Sequence, residues 1–125
     1  FDLISFWPEY RQSPLIRATG LARELGLGTV WIKDESKRFG LGGVKALGAP
    51  YGLKQQLLKR GITPGSPQCA GYTAVAATDG NHGLAVAWAA QKFGCHARIY
   101  VGTEVDPAPI APLTYPGTDI SQPAG

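Results

Sequence analysis

The chain has 125 residues with no methionine, two cysteines, two histidines and no apolar run long enough to span a membrane. The missing methionine, position 1 included, leads us to expect a processed or partial chain rather than an intact translation product. Two cysteines, Cys69 and Cys95, are too few for a disulfide framework, and neither sits in a CxxC pair. Free thiols in a reducing, cytoplasmic setting are therefore expected. Together with His82 and His96 they match no zinc spacing, so no metal site is expected. No charged-then-apolar signal sequence opens the chain. Net charge is only +3, and the basic residues are scattered. Only Lys37-Arg38 and Lys59-Arg60 are adjacent, which reads as solvated faces and not as a nucleic-acid footprint.

What is present is globular in kind: 44% apolar and 17% charged residues, enough for one modest domain with a core. Phe1 to Tyr10 is aromatic and carries Pro8, so it reads as an extended arm. Leu21 and Leu25 are spaced for a short helix that Gly26 and Gly28 end. Thr29-Val30-Trp31-Ile32-Lys33 has the composition of a buried strand. Ala46 to Arg60 reads as a helix, with Pro50 in about its first turn and Gly61 closing it.

A loop rich in proline and glycine follows from Ile62 to Gly71. A strand is expected near 73–78, a helix near 82–93 ended by Gly94, and a strand at 97–101. The apolar residues of 84–93 cover nearly the whole helix circumference, which predicts a largely buried helix. Alternating strands and helices predict an α/β layer on parallel strands. Residues 102–125 hold five of the ten prolines and show no period, so we divide the chain into 1–101 and an irregular tail, 102–125.

Two stretches carry chemistry. In Lys33-Asp34-Glu35-Ser36-Lys37-Arg38-Phe39-Gly40-Leu41-Gly42-Gly43-Val44-Lys45, a lysine follows a glycine-rich turn and opens an apolar helical run. Such a lysine is expected to lose hydration, which lowers its pKa and favours attack on an aldehyde. Gly42 and Gly43 would let a flat ligand approach the backbone. The plainer alternative is a turn followed by a surface lysine. Thr78-Asp79-Gly80-Asn81-His82-Gly83 lies between an expected strand and helix, an arrangement that aims backbone N–H groups at an anion. Here Asp79 also reads as a helix cap and Asn81 as a turn residue. Asp34 and Glu35 are adjacent and would face opposite sides of a strand, so both read as structural. Ser36 is a weaker pocket candidate, and His82 reads as a satisfied structural histidine.

Together these stretches, with Val86-Ala87-Trp88-Ala89-Ala90 and the opening Tyr10-Arg11-Gln12-Ser13-Pro14-Leu15, resemble the fold-type II pyridoxal-phosphate enzymes. Within them the similarity is to the diaminopropionate ammonia-lyases, over about residues 5–101. The resemblance implies an N-terminal portion, truncated, of the tryptophan-synthase-β-like architecture: parallel strands with flanking helices. It implies pyridoxal 5'-phosphate as cofactor, a small amino-acid substrate, and commonly a homodimer. Lys45 is then the cofactor-bearing lysine and a base, and Asp79 a second base on the opposite face. Asn81 would hold the ring oxygen, and Gly80 belongs to the cofactor-binding turn.

The chain departs from the family pattern before the lysine, where Gly42, Gly43 and Val44 replace asparagine, alanine and phenylalanine. Leu84 likewise stands where arginine is common. The family's phosphate cradle lies in its second half, so low or no activity is expected of this chain alone. The alternatives are a serine/threonine dehydratase-like lyase with Asp79 as a cap only, and a non-catalytic module.

Overall fold

The structure is a computed structural model that describes residues 2–104 and 115–122. The chain forms two compact units, Phe1–Val44 and Lys45–Gly125. The first unit carries α1 (Asp2–Ser5), β1 (Leu15–Arg17), α2 (Thr19–Glu24), β2 (Trp31–Lys33) and a 3-10 turn at Arg38–Gly40. β1 and β2 pair antiparallel with Ile16 opposite Ile32, which departs from the expectation of parallel strands alone. The strand expected to be buried is also open: Trp31 is 56% and Ile32 45% exposed. Among the described residues the sheet has two strands, and a lone pair has too little area to bury a face.

Apolar burial in this unit is slight, with Ile4 and Ala22 its buried hydrophobic residues among those described. Its centre is instead Arg38, only 6% exposed, which corrects the reading of Lys37-Arg38 as a solvated face. A buried guanidinium persists only where its donors are taken up. Arg38 Nε donates to Glu35 Oε2 at 2.6 Å, and Nη2 donates to Glu35 Oε1 at 3.1 Å and to Ser13 Oγ at 2.9 Å. Its Nη1 donates to the Arg11 carbonyl, and the Ser13 hydroxyl donates to Glu35. The guanidinium also lies 5.3 Å from the centroid of the Tyr10 ring, a cation–π distance. Asp34 and Glu35 are structural, as expected, since Asp34 accepts the Ser36 N–H at 2.9 Å and Glu35 holds Arg38. The same bond ties up the backbone of Ser36, the weaker pocket candidate.

The second unit carries α3 (Lys45–Lys59), a 3-10 turn at Pro67–Gly71, β3 (Thr73–Thr78), α4 (Asn81–Phe93), β4 (His96–Val101) and β5 (Thr118–Ser121). The sheet order is β3-β4-β5, all parallel, with Val75 beside Arg98 and Arg98 beside Asp119. α4 is the crossover between β3 and β4, and it packs on both strands and on α3. Gly83, Ala85, Ala87, Ala89, Ala90 and Phe93 are buried, in line with its all-round apolar pattern. Ala97, Ile99 and Val101 form the covered face of β4.

Gly83 is fixed by contact. A Cβ there would strike the Thr78 methyl and come within 2.9 Å of the Ile99 methyl. Gly94 ends α4 at φ +76, and the Cys95 N–H returns to the Ala90 carbonyl at 2.9 Å, the Schellman closure.

Two expectations need correction here. Pro50 lies in the second turn of α3, where it has no N–H to offer the Ala46 carbonyl, and it is buried. β5 falls inside the segment 102–125 expected to be irregular. Its four residues are too few to show a period, and the ladder comes from the edge of β4. Prolines 107, 109, 112 and 123 of that segment lie outside the described residues.

Arg38 foremost, and Ser13 after it, hold the Glu35 carboxyl below its usual range against an opposing desolvation effect. The stabilisation is therefore complete above the ordinary glutamate value and is lost as pH falls through the lowered one. Hydrogen exchange of the β1–β2 amides should accelerate across that acid window, and Glu35→Gln should remove the acid dependence. At neutral pH the same variant should cost the first unit about 2 kcal/mol, since it leaves a buried guanidinium uncompensated.

Candidate active site

Lys45 is the first residue of α3, and it opens on a cavity of about 520 Å³ within the second unit. One wall is a single face of α3: Lys45, Gly48, Ala49, Gly52, Leu53 and Gln56, spaced by three and four residues. The facing wall is Tyr72, Thr73, Ala74 and Val75 at the open edge of the sheet, with His82 and Val86 of α4. A Cβ on Gly48 or Gly52 would meet nothing within 4 Å, so the helix wall beside the lysine is bare. That bareness overturns the expected loss of hydration. Lys45 is exposed because its neighbours one turn on, Gly48 and Ala49, are too small to cover it.

The second motif forms the turn from β3 into α4. Gly80 occupies the N-cap position and has no side chain of its own to cap the helix. Asp79 is exposed and makes no hydrogen bond among the described residues, so its reading as the helix cap is not realised. Thr78 does that work. Its Oγ1 accepts the N–H groups of Gly80 and Gly83, both at 3.1 Å, while its methyl packs where a Gly83 side chain would stand. Capping by threonine was legible in principle from Thr78 just before the turn, but Asp79 next to it gave the stronger cap signal. Asn81 is the first residue of α4 and exposed.

The structure therefore brings Lys45 and His82 to one cavity and leaves Asp79, Gly80 and Asn81 on the adjoining turn, outside its lining. His82 makes no hydrogen bond among the described residues, which corrects its reading as a satisfied structural histidine. From the second residue of α4 its side chain reaches the same cavity as Lys45.

Residues 6–122 match the family described as pyridoxal-phosphate dependent enzyme. The chain belongs to that family. The diaminopropionate ammonia-lyase of Salmonella typhimurium is 39% identical over 110 residues, covering 75% of this chain and 26% of the relative. That of Escherichia coli is 40% identical over 107 residues, covering 74% and 25%. The crystal structure of the Escherichia coli enzyme in apo form superposes with a TM-score of 0.81 at 34% identity. It covers 93% of this chain and 32% of that one. The chain thus spans about a quarter of the length of the curated relatives it matches.

The donor set of this pyridoxal-phosphate dependent chain suits the cofactor. An aldehyde on a flat ring needs a primary amine beside a slot free of side chains. Lys45 would supply the amine, and the bare flank at Gly48 and Gly52 would supply the slot.

Thr78→Val should lower the stability of the second unit by about 1–2 kcal/mol, because two amide donors lose their acceptor. Thr78→Ser should recover most of that loss, as followed by urea denaturation.

Proposed function

We propose that the second unit forms the lysine-bearing side of the active site of a pyridoxal-phosphate dependent lyase acting on 2,3-diaminopropionate. The reaction consumes one water and releases pyruvate and two molecules of ammonia. The observation that carries this reading is Lys45, whose amine opens on a cavity shared by α3, β3 and α4 in a chain similar to diaminopropionate ammonia-lyases.

When bound, the cofactor supplies an electron sink that acidifies the α-hydrogen of the amino acid. Proton transfer and positioning on the lysine-bearing side would fall to side chains of this chain. Lys45 would hold the cofactor through its aldehyde and would serve as the base that takes the proton from Cα on its own face. Asp79, exposed and without a hydrogen-bonding partner among the described residues, would accept the proton from the opposite face. A base on each face would let both enantiomers react. Asn81 would donate to the ring oxygen, and the Gly80 turn would let the ring approach. Thr78 keeps that turn in register through its two hydrogen bonds. By itself the chain should yield little or no pyruvate.

Borohydride trapping separates the lysine assignment from turnover. Reduction of the chain with pyridoxal 5'-phosphate should fix the pyridoxyl group on the peptide carrying Lys45, and Lys45→Ala should abolish that label. Labelling spread over all the lysines, or pyruvate formation that survives Lys45→Ala, would overturn the assignment. In an active enzyme carrying this segment, Asp79→Asn should cut turnover of one enantiomer by about 100-fold and spare the other.

A further inference from the structure

The reading above uses one end of the α3–β3 cavity, and the cavity runs on from there. Its α3 wall continues through Gln56 to Arg60, one residue past the end of α3 and about 22 Å along the helix axis from Lys45. The far end is built around Arg60. The Arg60 and Ile62 N–H groups both donate to the Leu57 carbonyl, at 2.9 and 3.0 Å, and Gly61 turns between them at φ +72. The backbone at Arg60 is thereby fixed. Arg60 Nη1 donates to the Gln56 carbonyl at 3.0 Å and to Gln56 Oε1 at 2.8 Å. Both residues line the cavity, so these bonds hold the guanidinium at its wall. Arg60 Nε and Nη2 have no partner among the described residues. These two nitrogens share one edge of the planar group, and such an edge can take both oxygens of a carboxylate.

Between the two ends the lining is largely apolar. Leu53 and Leu57 stand on the α3 side, with Val75 and Val86 among the residues facing them. Val75 is 63% exposed, a large apolar side chain left without cover. No acidic side chain lines the cavity among the described residues. Apolar flanks with a cation at each end complement an apolar body that carries a negative head.

We propose that the Arg60 end of this cavity binds an aliphatic monocarboxylate of medium chain length, with its head on the Nε–Nη2 edge of Arg60 and its chain along Leu57 and Leu53.

From Arg60 back to Leu53 is about 10 Å of helix, the reach of a medium-chain acid such as decanoate. Arg60 is exposed, and an ion pair at a wet rim adds little attraction of its own. Burial of the chain against the aliphatic wall supplies most of the affinity, while the guanidinium sets the sign of the head group and the direction of the chain. The site does not depend on Lys45 carrying a cofactor, because its head group lies at the opposite end of the cavity.

The test titrates decanoate into the 125-residue chain by isothermal titration calorimetry, and maps the site by amide chemical shifts. Expected is saturable binding of a single decanoate per chain, with shifts centred on Leu53 to Arg60 and Tyr72 to Val75. Arg60→Gln should weaken binding by about fivefold, and Arg60→Lys should recover part of the loss. Decylamine, with the same chain and the opposite charge, should bind weaker than decanoate by about fivefold or more. Lys45→Ala should leave decanoate affinity unchanged while it abolishes cofactor labelling, so the two assignments fail separately. Absence of binding, uptake that does not saturate, or equal binding of decanoate and decylamine overturns the proposal. So does affinity that falls in Lys45→Ala but not in Arg60→Gln, which would put the head group at the other end.

Discussion

The second unit depends on one close approach, that of α4 to the sheet at Gly83. No side chain fits between the helix and the methyl groups of Thr78 and Ile99. The helix can lie that low because Ala85, Ala87, Ala89 and Ala90 keep its remaining faces thin. Thr78 links the packing to the turn, since its methyl fills the space beneath Gly83 while its hydroxyl accepts two amides of the turn. The position of Asp79, Gly80 and Asn81 follows from that arrangement, because they sit between the strand end and the first turn of the helix. Interiors this tightly packed transmit a misfit of one methyl group.

The first unit is held by different physics. Few of its apolar residues are buried, and Leu15, Leu25, Leu27 and Trp31 all remain more than half exposed. Cohesion comes from the Arg38 guanidinium, which ties Arg11, Ser13 and Glu35 into one network. A network of this type specifies geometry more than it adds stability, because desolvating the charge offsets much of the attraction. It fixes the opening Tyr10–Leu15 segment against the stretch that leads to the glycine-rich turn.

The candidate site was only partly legible in the residues. Lys45 after Gly42-Gly43 and the Asp79-Gly80-Asn81 turn could be picked out by order and spacing, because a turn between strand and helix is a local affair. Hydration was not legible: whether a lysine is covered depends on residues one turn away and on neighbouring elements, and here Gly48 and Ala49 leave it open. His82 was misjudged for the same reason. Its place on the cavity wall is set by how α4 crosses β3 and α3. The cap passed from Asp79 to Thr78 because the turn points the threonine hydroxyl, and not the carboxylate, at the open amides.

The sequence by itself determined the alternation of helices and strands in the second unit, the buried character of α4, the glycine that ends it, and the family to which the motifs point. These are properties of period, turn chemistry and short ordered motifs, which need no partner to be read. Only the tertiary structure decided that the Thr29–Lys33 strand is exposed, that Arg38 is buried, and that β5 joins β4. Each depends on what lies across from a residue in space, and burial, ion pairing and strand addition are settled by that neighbour, not by the residue's own type.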